Sequence, residues 1–353
     1  MVPTSEIIDS SNLVFVHHTM PGIYRKGKIG NFYYVDKNGE RIKNELDLKR
    51  IEKLVLPPAW KEVWISPKKN GYLQATGADA AGRKQYRYHT EWTSRKSDHK
   101  YFRLLEFGKA LPNARKQIAR DLKRKQLDER KVLAICSEVM QKTLIRIGNE
   151  SYKKAYGTYG LSTLKDQHFN QNGDIAMLSF VGKKGVKQDV KLNDKNLIKL
   201  VKQCKDIPGQ ELFQFYTQEN SHKAIDSGMF NNYIKEVTNC DFTAKDFRTW
   251  GGTLEALRQL ACFSAEYPEM PKKKVIIEVL DAVARKLGNT RAVCKSSYVY
   301  PGLLQAYEND GLTKILKKVN IKNINSALGM ENNEKVMLKF LKDSAKNLKL
   351  NTH

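Results

Sequence analysis

Long hydrophobic runs are missing from this sequence. No stretch of about 18 or more apolar residues occurs, so nothing in it reads as a membrane span. Cysteine is sparse and odd in number: Cys136, Cys204, Cys240, Cys262 and Cys294 are scattered, with no two close together. That argues against a disulfide framework and against a zinc site. The seven histidines show no ligand spacing of the H-x-x-x-H kind, so no structural metal is expected. The expected setting is reducing and cytoplasmic. The opening "MVPTSEIIDSSN" has neither a basic segment nor an apolar core and is not read as a secretory signal. Internal repeats are absent. Acidic residues are in short supply, 38 Asp+Glu against 62 Lys+Arg, a formal charge of +24. Such an imbalance points to a polyanionic partner, nucleic acid first and an anionic membrane surface second.

What is present is an ordinary globular composition. The chain has 353 residues, of which 41% are apolar, enough for one large or two medium domains. The first ninety residues read mostly as strand. "NFYYVDKNGERI" has Asn38-Gly39 as a hairpin turn, and "EVWISPKKNGYLQATG" repeats the form at Asn70-Gly71. "GRKQYRYH" alternates aromatic with basic or polar residues. The polar stretch Thr90–Lys100 is expected to be a linker or hinge. Helical periodicity follows, with Leu133, Cys136, Met140, Leu144 and Ile147 on one stripe. Residues 167–192 break it with a small antiparallel sheet of three strands, turning at Asn172-Gly173 and at "GKKG". "TAKDFRTWGGTLEALRQLACF" returns to helix, with Thr243 and Asp246 spaced as a capping box and Phe247, Trp250, Leu254, Leu257 and Ala261 as the buried stripe. A further helix is bounded by Pro271 and Gly288. The lysine-rich tail, Leu312–His353, is expected to be helical. The expected fold class is α+β. A small β-rich N-terminal domain (1–95) precedes a larger, mainly helical domain (96–353) that carries the three-stranded sheet and the basic tail.

Several residues admit both a structural and a chemical role. Arg146, in "RIGNESY", is a surface arginine near the end of its helix or a guanidinium aimed at a phosphate. Lys183 and Lys184 are solvated turn residues or groove-entering proton donors. Arg248 lies in the first turn of its helix, where the helix N-terminus has its own affinity for anions. Asn289 follows the Gly288 helix end. Tyr298 stands just before Pro301, in "LGNTRAVCKSSYVYP", as a rim tyrosine or a phenol held out for use.

The order Arg, Lys, Arg, Asn, Tyr on a basic chain resembles the type IB DNA topoisomerases of the compact bacterial and poxvirus-like kind. The resemblance is carried by "LPPAWKEVWI", "LQATGADAAGRKQYRYH", "RIGNESY", "YGLSTL", "FVGKKG", "KDFRTWGGT" and "LGNTRAVCKSSYVYP", from Leu56 to about Pro301. It implies a β-rich domain and a helical catalytic domain that clamp double-stranded DNA. Tyr298 is then the nucleophile, forming a 3′-phosphotyrosyl bond, and Arg146 and Arg248 bind the scissile phosphate. Lys183, which directly follows "FVG", is the general acid. Asn289 stands where pox-type and eukaryotic members have histidine and bacterial-type members have asparagine. Gln85, Tyr86, Tyr88, Tyr152, Lys245 and Lys295 match DNA-contacting positions. The resemblance further implies relaxation of both signs of supercoil without ATP or obligatory metal, no cofactor, no membrane partner, a monomer, and a cytoplasmic, nucleoid-associated location. There are two departures. Asn289 offers a neutral amide and cannot shuttle a proton. Asn149 and Ser151 replace lysines of the pox-type enzymes, which bears on cleavage preference. A tyrosine recombinase shares this chemistry but favours H-x-x-R where this chain has Lys245-Asp246-Phe247-Arg248. A non-catalytic basic DNA-binding protein is the alternative from another class.

Overall fold

The computed structural model describes residues 13, 14, 16, 18–80, 82, 84–219, 221–321 and 331–350, with backbone alone for 84, 92–102 and 345–350. The chain divides into two compact units, Met1–Lys100 and Tyr101–His353.

The first unit is built on a five-stranded antiparallel sheet, β1 (Ile23–Lys28), β2 (Asn31–Val35), β3 (Lys61–Ile65), β4 (Leu73–Ala78) and β5 (Lys84–Tyr88), in the order β2-β1-β3-β4-β5. The period-2 alternation of β3 explains its two-sided core. Val63 and Ile65 face Ile23 and Ala75 on one side, and Trp64 joins Leu13, Tyr72 and Leu73 on the other. Asn38-Gly39 turns the chain as expected, closed by a Val35–Arg41 bridge. One helix interrupts the expected strands. This is α1 (Glu45–Lys53), where Asn44 caps the amides of Leu46 and Asp47 (2.9 and 3.2 Å) and Ile51 enters the core. The Asn44 cap and the acidic first turn were its signals, overshadowed by the flanking β-branched residues.

Thr90–Lys100 is helical rather than a loop: it opens α2 (Thr90–Leu122) and runs to the boundary between the two units. Its polar composition suggested a hinge, but it holds no Gly or Pro to stop a helix.

The second unit is mainly helical, as expected. It comprises α3 (Glu129–Thr143), α4 (Glu150–Tyr156), β6 (Phe169–Asn172), β7 (Ile175–Val181), β8 (Lys187–Leu192), α5 (Lys195–Lys205), β9 (Gln214–Tyr216), β10 (His222–Ala224), α6 (Ser227–Thr238), α7 (Ala244–Glu266), α8 (Lys272–Leu287), α9 (Arg291–Ser297), α10 (Pro301–Glu308), α11 (Thr313–Leu316) and α12 (Asn332–Leu350). The sheet β6-β7-β8 is antiparallel, with Ala176, Leu178 and Phe180 turned into the core. Buried α3 and α7 form the centre of the core. The capping box at the start of α7 is present, the Thr243 amide and hydroxyl both donating to Asp246 (2.8 and 3.0 Å). Phe247 and Trp250 pack edge-on against Phe107 of α2, with centroids 4.9 and 6.1 Å away, contacts worth about 1 kcal/mol each beyond burial. The tail is helical at Thr313–Leu316 and Asn332–Leu350; residues 322–330 and 351–353 lie outside the described residues.

Candidate active site

Four of the expected site residues come together where the ends of α3 and α8 meet α7 and α9. Each is placed by a local backbone cause. The α3 helix stops at Thr143 because Leu144 turns left-handed (φ 57°), so Arg146 lies beyond the helix rather than near its end, as the periodicity of Leu144 and Ile147 had suggested. The segment after it is fastened by backbone bonds from Leu161 to the Arg146 carbonyl (2.8 Å) and from Ser162 to the Ile147 carbonyl (2.7 Å). Gly160 is required there, since a Cβ would fall 2.5 Å from the Gly148 nitrogen and 2.6 Å from the Arg146 carbonyl oxygen.

Arg248 is not a surface arginine. It is 4% exposed, and its guanidinium faces two helix C-terminal ends rather than the N-terminus of its own helix. One terminal nitrogen donates to the Leu144 carbonyl and the other to the Leu287 carbonyl (2.9 Å). Cations are favoured at such ends. Arg146 uses the next carbonyl along, Gly288 (3.2 Å), and also donates to Asn289 Oδ1. The end of α8 thus offers acceptors at three successive residues, and these hold both arginines. Arg248 Nε and Asn289 Nδ2 are buried donors without a partner, which is costly unless a ligand accepts from them.

Tyr298 ends α9, and the Arg248 guanidinium lies 4.9 Å from its ring centroid. Burial pushes its phenol up, but Arg248, with Arg146 and Lys245, outweighs this and holds it below the ordinary tyrosine value. Burial pulls Arg248 down, an effect that Tyr298 opposes and Arg146 reinforces. A guanidinium keeps its charge regardless. Cys294, buried behind them, is pushed up to about 11 by burial, so its thiol stays protonated and is a poor nucleophile.

Lys183 stands at the exposed β7–β8 turn, its Nζ 5.9 Å from the centroid of Tyr152 on α4. The hairpin nevertheless abuts the site, since Gln188 of β8 packs on Gly288 so closely that a Cβ there would lie 2.3 Å from it. Lys184 takes the left-handed position of the turn (φ 65°). Lys245, exposed on the first turn of α7, is felt electrostatically by Tyr298, and Lys295 is exposed on α9. In the first unit, Gln85 donates to Asp79 (2.9 Å). Tyr86, 47% exposed, stacks with Tyr88 at 6.1 Å on edge strand β5.

Sequence reasoning missed Thr253 and the two glycines before it. Thr253 Oγ lies 2.9 Å from the Thr249 carbonyl and 3.2 Å from that of Tyr298, and it accepts from the Tyr300 amide (3.2 Å). A Cβ on Gly251 would sit 2.5 Å from the Leu144 side chain, and one on Gly252 would sit 2.9 Å from the Tyr298 carbonyl oxygen. Two glycines inside a helix cost about 1 kcal/mol each relative to alanine, and that cost was the available signal of close approach.

The family model described as "Eukaryotic DNA topoisomerase I, catalytic core" matches residues 89–323, which include Arg146, Lys183, Arg248, Asn289 and Tyr298. "Bacterial DNA topoisomerase IB, N-terminal domain" matches residues 31–79. Gln85, Tyr86 and Tyr88 fall in neither span. The chain is 33% identical over 303 residues to DNA topoisomerase 1B of Acanthamoeba polyphaga mimivirus, covering 83% of this chain and 89% of that one. It is 25% identical over 247 residues to DNA topoisomerase 1B of Vaccinia virus (strain Copenhagen), covering 69% and 74%. A solved XerH site-specific recombinase bound to a palindromic difH substrate aligns with a TM-score of 0.36 at 13% identity, over 57% of this chain and 50% of its own, too slight a likeness to assign anything.

Proposed function

The chain belongs to the type IB DNA topoisomerase family, and from that premise we propose that it relaxes positive and negative supercoils in duplex DNA by reversible transesterification at Tyr298. The observation that carries this reading is the half-buried Tyr298 phenol under Arg248, with donors on Arg248 and Asn289 left unpaired beside it.

The Tyr298 oxygen attacks the scissile phosphorus, and the bond to the 5′ oxygen breaks. Tyr298 gives up its proton to solvent, and Lys183 supplies one to the leaving 5′ oxygen, which would otherwise depart poorly, and regains a proton from solvent. A phosphodiester is exchanged for a 3′-phosphotyrosyl ester, so the bond energy is kept and ATP is not needed. Arg146, Arg248 and the Asn289 amide stabilise the charge that builds on the phosphate oxygens. With Lys183, they supply this function without calling on a divalent metal. Lys183 reaches the DNA by leaving the face of Tyr152; Lys184 is the rival donor. The free strand rotates about the intact one, and the 5′ hydroxyl attacks back to reseal.

Residues 1–95 act in this reading as a DNA-clamping domain, using Gln85, Tyr86 and Tyr88, and 96–353 as the catalytic domain, with Tyr152, Lys245 and Lys295 as further DNA contacts. The enzyme works as a monomer on the nucleoid. Among the described residues no helix is long and apolar enough to cross a membrane.

The test is plasmid relaxation in EDTA without ATP, wild type beside Tyr298→Phe. Wild type should relax both signs of supercoil, and the variant should bind DNA and relax none. Covalent adducts formed by the variant would show that the nucleophile is misassigned, and attachment at a 5′ end would reject the mechanism. Exchange of strands between two duplexes, without relaxation, would favour a recombinase.

A further inference from the structure

The basic tail has a buried beginning. Glu334, on the first turn of α12, is only 3% exposed. Its carboxylate accepts four hydrogen bonds: two from the Arg115 fork (2.7 and 2.9 Å), one from Trp250 Nε1 (3.0 Å) and one from the Glu331 amide (3.0 Å). A carboxylate has about four acceptor sites, so this one is full. Asn333 beside it exchanges two bonds with the Asn320 backbone (2.7 and 2.9 Å), and Glu331 pairs with Arg258 of α7.

Both side chains held by Glu334 lead to one seam. Trp250 lies on α7, next to Gly251, whose missing Cβ lets Leu144 sit against the helix. Arg115 also donates from Nε to Gln141 (2.8 Å), in the last turn of α3 before Leu144. Across that seam Arg248 reaches the Leu144 carbonyl. A buried ion pair is a poor way to gain stability, since apolar residues often serve as well or better. It does fix direction and register.

We propose that Glu334 is a positioning residue for catalysis. By gripping Trp250 and Arg115 together it sets α7 against the end of α3, and so holds the Arg248 guanidinium where the scissile phosphate will lie. The head of α12 is then part of the catalytic apparatus. This rests on the topoisomerase reading of the site.

The experiment uses full-length protein carrying Glu334→Gln or Trp250→Phe. Single-turnover covalent adduct formation is measured on a duplex that cannot be resealed, together with duplex affinity, well below each melting temperature. Displacing a catalytic group by about an ångström should slow adduct formation by about a hundredfold in Glu334→Gln, and the milder Trp250→Phe by about tenfold. Affinity should stay within about twofold, the split expected when only transition-state contacts are lost. The double variant should be no slower than Glu334→Gln, as for residues acting through one contact. A folded Glu334→Gln protein that reacts within about twofold of wild type, or that loses rate and affinity equally, overturns the proposal. If Glu334→Gln does not fold, Trp250→Phe decides by the same criteria. A wild-type protein that forms no adduct would reject the topoisomerase reading, and the proposal with it.

Discussion

Two groups of arginines in the helical unit are held by different means. Arg146 and Arg248 donate to the carbonyls of Leu144, Leu287 and Gly288 and to the amide oxygen of Asn289. Arg115, Arg130 and Arg258 meet carboxylates instead: Glu334, then Asp121 with Glu236, then Glu331 with Glu255. One helix, α7, carries an arginine of each kind. A carbonyl satisfies an N–H without cancelling the charge behind it, whereas a carboxylate does both. The first group is therefore fixed and still positive, as the proposed phosphate contacts require. The second is fixed and neutralised, and its work is internal to the fold.

The sharpest way to break this contrast is to convert one kind of pocket into the other. Asn289→Asp places a carboxylate against Arg146 and removes the unpaired Nδ2 donor. Adduct formation should slow by about a thousandfold, the upper range for losing an anion-stabilising donor, while the melting temperature is held or raised. A rate close to wild type would mean that the neutrality of the acceptors is incidental. The opposite change is Arg130→Met, remote from the site, which leaves buried Asp121 without its cation. Denaturant titration should show a loss of about 3 kcal/mol, with adduct formation below the melting temperature unchanged. Slowed chemistry there would blur the two groups. The smallest effect concerns Lys245, one of the cations that hold the Tyr298 phenol low. Removing a positive charge raises a phenol's pKa, so Lys245→Ala should move the pH–rate profile for cleavage towards higher pH. A profile that stays in place would show that Tyr298 does not feel Lys245.

Much of the frame was legible because local patterns and tertiary needs agree. The alternation in β5, the glycine turns around β7 and the Thr243–Asp246 box each specify an element by themselves. Helix α1 and the start of α2 were not legible, because flanking β-branched residues and a polar composition masked weaker helix signals. At the site, residue order and motif marked out Arg146, Arg248, Asn289 and Tyr298, and the fold brings those four together. Their geometry could not be foreseen. The acceptors of Arg248 come from Leu144 and Leu287, far apart in the chain, and a helical arginine beside buried Phe247 gives no hint of burial itself. The contact of Lys183 with Tyr152 likewise joins elements that no local pattern links.

The end of α8 has one more consequence. The stretch from Leu287 to Tyr298 carries the carbonyls that hold both arginines, the amide that touches Arg146, and the phenol itself. These parts cannot be withdrawn one at a time. If the stretch shifts, the phenol moves together with most of the acceptors that fix Arg146 and Arg248, the bond from Arg248 to Leu144 alone lying outside it, so under the proposed mechanism the nucleophile and its phosphate contacts are mechanically coupled.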